Sequence, residues 1–384
     1  MFNKNKTSFD GTLHIGSLCN ENYRLFRALR LQGINAHYVH FERIAEKNYT
    51  SDPRAVDPNF NVADLFIHKV SIKTKINWLQ KLYELYSIGR IIRSMKGNFW
   101  VHAQTEFPIY TSLFTRNYSA HSSGSDLRKH YFQRGIKDRL LAWSYNRAHV
   151  VFYHNIDLHD HIISQTHKSY NFIPNICDLR SLQSVENEND YNESVFRIFM
   201  PSRITFYDAE DIKGNGIFLE SLSYLKDCQI ELTLPQEDIQ ANRWASEIEK
   251  RFANIQCQFI KSRTDKLTYY NAINNSDIII DQFYLGAMGG VALECFSMKR
   301  VALVNLDSKA FRECYKEESI LPEIKSPKIL AKTIRKLMDL PCRKSLEIQL
   351  QHFIERYHTP NRVANIFLKV LEREGKSMRG YFES

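Results

Sequence analysis

Residues 12–41 read TLHIGSLCNENYRLFRALRLQGINAHYVHF, and this stretch decides the fold. The apolar run from Thr12 to Ile15 predicts a strand, closed by Gly16 and Ser17 as a turn. Asn20 is placed to cap a helix whose apolar side carries Leu25, Phe26, Leu29 and Leu31. Gly33 ends that helix, and Asn35 to Phe41 supplies the next strand. A strand, a glycine turn, a helix and a strand in about thirty residues is the unit of a parallel α/β sheet.

The alternation continues outward from this unit. Further strands are predicted at Phe99–His102, Tyr118–His121 and Ala148–His154, with helical patterns at Ile76–Met95 and Tyr131–Tyr145 between them. Residues 171–195 interrupt it: Pro174 and a Glu/Asn/Asp/Ser-rich run mark a domain crossing. Strands resume at Phe196–Met200, Gln229–Leu234, Asp277–Asp281 and Val301–Asn305, with helices starting near Gly214, Asn242 and Gly289. A last helix, Asn361–Arg373, is amphipathic through Val363, Ile366, Phe367 and Val370. The expected organisation is a Rossmann-like domain over 1–173, a linker over 174–195 and a second Rossmann-like domain over 196–355. A C-terminal helix over 356–384 is expected to pack back on the first domain. Two such domains facing across a cleft would bind ligands at the carboxyl ends of their strands.

The composition is that of an ordinary globular protein: 384 residues, 43% hydrophobic, 12% aromatic and 25% charged. It excludes a collagenous or disordered chain. No apolar stretch is long enough to span a membrane, and the polar first residues lead into no apolar segment, so a cytoplasmic location is expected. The seven cysteines (Cys19, Cys177, Cys228, Cys257, Cys295, Cys314 and Cys342) lack zinc-site spacing and read as free thiols. Lys+Arg number 52 against 43 Asp+Glu, a net charge of +9. Residues 1–173 hold 23 of the basic and 13 of the acidic residues, so the whole excess lies there. Within it Lys69, Lys73, Lys75, Lys81, Arg90, Arg93 and Lys96 surround Trp78, Leu82, Tyr86, Ile91 and Ile92. This segment is either a basic helix lying on an anionic membrane surface or the solvated outer face of a helix packed on its own sheet. No nucleic-acid-binding motif is present, and nucleic acid is not an expected partner.

Three loops at predicted strand ends carry the candidate chemistry. In residues 281–294, DQFYLGAMGGVALE, a strand ends in Asp281 and Gln282, and Gly286, Gly289 and Gly290 lead into a helix. Free N–H groups at such a helix start suit phosphate, and Glu294 one turn in can accept bonds from sugar hydroxyls. The same glycines also suit a plain tight turn, and Glu294 an early helix charge. In the second loop Pro201-Ser202-Arg203 is followed by Lys213-Gly214; an Arg and a Lys together grip phosphate, or form a solvated surface pair. In the third, Ala120-His121-Ser122-Ser123-Gly124-Ser125-Asp126-Leu127-Arg128, His121 and Asp126 offer acid–base or hydrogen-bonding groups, or serve the local structure.

Taken in order, these segments resemble the GT-B glycosyltransferases, most of all glycosyltransferase family 4, whose members are retaining and use nucleotide sugars. Leu13-His14-Ile15-Gly16, Arg27-Ala28-Leu29-Arg30 and Gly33-Ile34-Asn35-Ala36 are similar to the family's first strand, glycine turn and helix. His121 to Arg128 resembles its His-Gly-Ser-Asp segment, and Ile173-Pro174-Asn175-Ile176-Cys177-Asp178 its Pro-Asn-x-x-Asp crossing. The resemblance implies an α/β protein of GT-B fold that moves a sugar from a UDP- or GDP-sugar to a hydroxyl of a glycan or lipid-linked acceptor. It implies retention, no metal and no further cofactor, a role in cell-surface polysaccharide or glycoconjugate synthesis, and a peripheral place on the inner membrane face. By the same resemblance Arg203, Lys213, Gly289 and Gly290 hold the donor diphosphate, and Glu294 the ribose. Asp281, Gln282 and Gly286 lie by the donor sugar, His121 and Asp126 are the catalytic groups, and Gly16, Ser17, Ser123 and Gly124 belong to acceptor-side loops. Two positions depart from the pattern. The first Glu of the family's Glu-x7-Glu motif falls on Gly286, so Asp281, Gln282 or backbone alone would meet the sugar. The family's His falls on Ser123, two residues after His121. The competing readings are a nucleotide-sugar 2-epimerase of the same fold, a non-catalytic scaffold, and a basic nucleic-acid-binding protein.

Overall fold

The computed structural model describes residues 9–16, 18–43, 53, 57, 59–74, 76–128, 135–163, 170–177, 195–202, 204, 211, 213–236, 239–261 and 266–382. The chain forms two compact units, residues 1–176 with 358–384, and residues 177–357.

The first unit is built on seven parallel strands: β1 Gly11–Ile15, β2 Ala36–Arg43, β3 Ile67–Ile72, β4 Phe99–Gln104, β5 Tyr118–Ser122, β6 Val150–Tyr153 and β7 Tyr170–Phe172. Their spatial order is β3-β2-β1-β4-β5-β6-β7, so the winding reverses between β1 and β4. Its helices are α1 Glu21–Leu31, α2 Asn77–Ser94, α3 Phe107–Thr111, α4 Ser125–Arg128, α5 Ile136–Arg147 and α6 Leu158–Ile163. The second unit has β8 Phe196–Phe199, β9 Ile230–Pro235, β10 Ile255–Ile260, β11 Ile278–Ile280 and β12 Val301–Leu303, also all parallel. Their order, β10-β9-β8-β11-β12, reverses between β8 and β11. Its helices are α7 Asn215–Ser221, α8 Ile239–Arg251, α9 Lys266–Asn274, α10 Gly290–Ser297, α11 Ser308–Tyr315, α12 Pro327–Met338 and α13 Leu340–Tyr357. The last helix, α14 Pro360–Phe382, belongs to the first unit and packs on α1.

The central strands are covered on both faces, which parallel sheets require, and every residue of β1 and of β5 is buried. α14 closes one face of the first sheet: Phe367 is fully buried, its ring 5.2 Å from Phe152 and 4.9 Å from His102. β1 turns into α1 at Gly16, whose φ is +77°. A side chain there would put its Cβ 2.3 Å from the Phe107 ring, so backbone and neighbour both require glycine.

Several local expectations change. Lys69 lies in strand β3, where it pairs with Glu42, and Lys73 also precedes the basic helix, which starts at Asn77; Lys75 lies outside the described residues. β3, β7, β10 and the helices α3, α4, α6, α9, α11, α12 and α13 add to the predicted elements. Asn20 does precede α1, but at φ +60° and with no side-chain cap; its carbonyl accepts Arg24 N–H at 2.9 Å instead. Leu31 is 64% exposed because the apolar stripe of α1 ends at Leu29. The helix expected over Tyr131–Tyr145 begins at Ile136, and residues 131–134 lie outside the described residues.

Candidate functional site

The reversal point of each sheet gathers polar side chains at the strand ends, where open α/β sheets bind ligands.

In the second unit β11 runs into Asp281 and Gln282, both buried. Asp281 Oδ1 accepts the Ser202 hydroxyl at 2.5 Å, while Oδ2 is buried without a partner. The Lys213 ammonium donates to Gln282 Oε1 at 3.0 Å and stands 3.6 Å from Asp281 Oδ1. Gln282 spends its amide N–H on the Ala287 carbonyl at 2.7 Å, bracing the loop. Asp281 and Gln282 therefore hold Lys213 in place. Gly286 sits at φ +67°, a conformation that strains a Glu, and its carbonyl accepts Asp307 N–H at 2.9 Å.

Gly289 is the N-cap of α10, and a Cβ there would lie 3.1 Å from Asp281 Oδ2. A Cβ on Gly290 would meet nothing within 4 Å. The start of α10 is therefore open on the Gly290 side, and Asp281 and Gln282, which hold the Lys213 ammonium, stand beside Gly289, an arrangement suited to an anion. Glu294 lies one turn further, 3.4 Å from the Lys266 ammonium. Burial and the Glu294 carboxylate push the Tyr269 phenol well above its ordinary range. Arg203 lies outside the described residues.

In the first unit the strand ends hold a line of histidines. His14 and His102 are level on β1 and β4; His121 on β5 is two residues further along, and His154 two beyond that. Steps of two keep the side chains on one face of a sheet, so the rings meet in a diagonal row. His102 Nδ1 bonds Ser119 Oγ at 2.8 Å, and His102 Nε2 meets His121 Nδ1 at 3.2 Å. His121 Nε2 meets His154 Nδ1 at 3.2 Å, and His154 Nε2 reaches Glu21 Oε1 at 3.2 Å. Gln104 Nε2 donates to Glu21 Oε2 at 2.5 Å.

Burial sets the charge state of this row. It holds His154 down to about 3 and His14 down to about 4, and His102 and His121 well below the ordinary 6.5. The same burial raises Glu21 to about 8, against the hydrogen bond from Gln104. At neutral pH the histidines are neutral and Glu21 carries a proton. A protonated Oε1 donates to His154 Nε2, and each ring passes a bond onward from its Nδ1–H, ending on Ser119 Oγ. Every member is satisfied with all bonds pointing one way.

Both ring nitrogens of His121 are thus engaged by other histidines. Asp126 is engaged as fully: Oδ1 accepts the Ser122 hydroxyl and the Gly124 and Leu127 N–H groups, and Oδ2 the Ser123 N–H and the Tyr145 hydroxyl. It folds the loop in which Gly124 has φ +125° and Ser123 keeps a buried hydroxyl without a partner. Gly16 closes β1 beside this row; Ser17 lies outside the described residues. Ser202 stood in its loop without a role of its own, and Glu21, His102, Gln104 and His154, with Lys266 of the second unit, escaped the sequence reading. Its signal was there, since three of the predicted strands ended on His102, His121 and His154.

No family model and no curated protein matches the chain. Solved structures do. A glycosyltransferase of Rickettsia africae superposes with a TM-score of 0.63 at 14% identity, over 96% of this chain and 99% of that one. An E. coli trehalose-6-phosphate structure bound with UDP-2-fluoro glucose gives 0.66 at 11% identity, over 94% and 99%. A Listeria monocytogenes protein assigned as a UDP-N-acetylglucosamine 2-epimerase gives 0.59 at 14% identity, over 96% and 97%. Two parallel sheets flanked by helices, matched over nearly the whole length of GT-B proteins, define the chain as an α/β protein of GT-B fold.

Proposed function

We propose that this protein is a glycosyltransferase that takes a sugar from a nucleoside diphosphate and delivers it to a hydroxyl of a glycan or lipid-linked acceptor. One observation carries the reading: a fixed ammonium, Lys213, borders the open N-terminus of α10, with a carboxylate, Glu294, one turn along that helix. This arrangement suits a diphosphate at the helix start and a ribose at Glu294. Arg203 is assigned to the same diphosphate, with Gly289 and Gly290 providing the close backbone approach. Asp281 and Gln282 act by positioning Lys213, and the donor sugar at Gly286 meets backbone.

As the bond from the anomeric carbon to phosphate breaks, charge builds on the departing diphosphate. Lys213, Arg203 and the α10 N–H groups stabilise it without a metal. For retention the acceptor oxygen bonds the same face of the sugar that the phosphate leaves, and its proton passes to a phosphate oxygen. The trehalose-6-phosphate and rickettsial likenesses make nucleotide-sugar transfer the natural chemistry to test; an anionic membrane surface is the proposed place of the acceptor.

The test follows nucleoside diphosphate release from UDP- and GDP-sugars, with and without glycan acceptors. Lys213→Ala is expected to lose about a hundredfold in kcat/KM with its fold intact. Unchanged turnover in both Lys213→Ala and Glu294→Ala refutes the assignment. An isomerised nucleotide sugar formed without acceptor identifies an epimerase instead.

A further inference from the structure

α2 is turned inside out. Its inward residues are Glu84, Ser87, Ile88 and Gly89, with Glu84 at 0% exposure. Its outward row, spaced by four, is Trp78, Leu82, Tyr86 and Arg90, and the first three are 63%, 53% and 65% exposed. A helix that merely covers its own sheet buries the apolar stripe and shows water the polar one. α5 buries Leu141 and Tyr145 beside Asp138 and Ser144, yet it leaves a second apolar set, Ile136, Leu140 and Trp143, exposed.

α3 packs against both helices, and Glu106 at its start ties them together. Its carboxylate pairs with Lys81 of α2 and, at 2.7 Å, with Lys137 of α5. Two lysines meeting on one carboxylate set the exposed apolar rows of α2 and α5 side by side as one face. Its charges have one sign. Arg90, Arg93 and Arg139 are exposed, whereas among the described residues of these helices and their caps the acids Glu84 and Asp138 are buried, and Glu106 is held by two lysines. Beside Leu82 and Tyr86 opens a groove of about 740 Å³ that Ile72, Leu79, Tyr83 and Lys73 also line.

Apolar area this exposed marks an interaction site, and the partner must tolerate aromatic side chains among uncompensated cations. A bilayer with anionic headgroups fits: indole and phenol rings settle at the headgroup level, and arginines meet the phosphates. We propose that the outer face of α2 and α5 docks on an anionic lipid bilayer. The inference deepens the membrane part of the proposed function and rests on it, but binding is read without any turnover.

The experiment sediments the full chain with vesicles of phosphatidylcholine alone and of phosphatidylcholine with phosphatidylglycerol, at low and at high salt. Nucleoside diphosphate release is measured in parallel, so failure of catalysis and failure of docking separate. Wild type is expected to bind only the anionic vesicles, less at high salt. Trp78→Ala/Tyr86→Ala and Arg90→Gln/Arg93→Gln are each expected to bind at least about tenfold more weakly. Ile348→Ala, an equally exposed apolar residue of α13, is the control and should bind as wild type does. Wild type that fails to sediment with anionic vesicles, or α2 variants that bind as well as the control, overturns the proposal. So does a concentration-dependent dimer that the Trp78→Ala/Tyr86→Ala variant abolishes, because the surface would then be covered by a second copy.

Discussion

Replacing Glu21 by Gln isolates the proton held at the end of the histidine row. Burial raises the folded-state value to about 8 from the ordinary 4.5 of an unfolded chain. The folded protein therefore keeps a proton that the unfolded chain gives up between these limits. Stability from this group is complete below pH 4.5, falls by about 1.4 kcal/mol per pH unit up to pH 8, and then levels off. The whole fall is about 5 kcal/mol. A Gln imitates the protonated acid: its N–H donates to His154 Nε2 and its oxygen accepts from Gln104, so no bond of the row is lost. Urea unfolding of both proteins from pH 5 to pH 9 reads the difference, in which the histidine contributions cancel. Near pH 5 the two should be about equally stable, and by pH 8.5 Glu21→Gln should lead by several kcal/mol. Curves that stay parallel over this range would refute a protonated Glu21.

Further outcomes follow from the same geometry. His14, His102, His121, His154 and His358 are buried with lowered values, so wild type should lose stability as pH falls below 6.5 toward 4; acid titration of the unfolding midpoint checks this. Gly16→Ala forces a side chain to φ +77° and into the Phe107 ring, and denaturant melts should show a loss of about 3 kcal/mol. Gln282→Ala removes one of the two holds on Lys213 and frees the Ala287 carbonyl, and should raise the donor KM more than it lowers kcat while leaving the secondary structure by circular dichroism intact.

The fold was legible because local and global signals agree. The strand, Gly16 turn and helix α1 follow from periodicity and one glycine, and β11 into α10 from an apolar run ending in a glycine-rich loop. What escaped lacks that contrast. β10 is an edge strand of mixed exposure, β7 has only three residues, and β3 carries Lys69 among its apolar positions. The donor-side loop was readable for a similar reason, since Lys213, Gly289 and Glu294 sit within or beside glycine-marked turns. The histidine row was readable only as three separate strand-end histidines. Its members come from β4, β5, the residue after β6, and α1, well separated in sequence, and only the sheet register brings them into line. Nor does a sequence tell which side of α2 faces its sheet: periodicity gives the Trp78–Leu82–Tyr86 row, and burial alone shows that it points outward.

The central claim is a nucleotide-sugar site at the start of α10, and calorimetric titration with UDP, GDP and their sugars tests it most directly. One nucleoside diphosphate should bind wild type saturably at one per chain, lose at least about tenfold in affinity in Lys213→Ala, and lose it again in Gly290→Asp, which places a carboxylate at the open helix start. Absence of binding by every nucleotide tried, or binding that neither substitution weakens, would contradict the account.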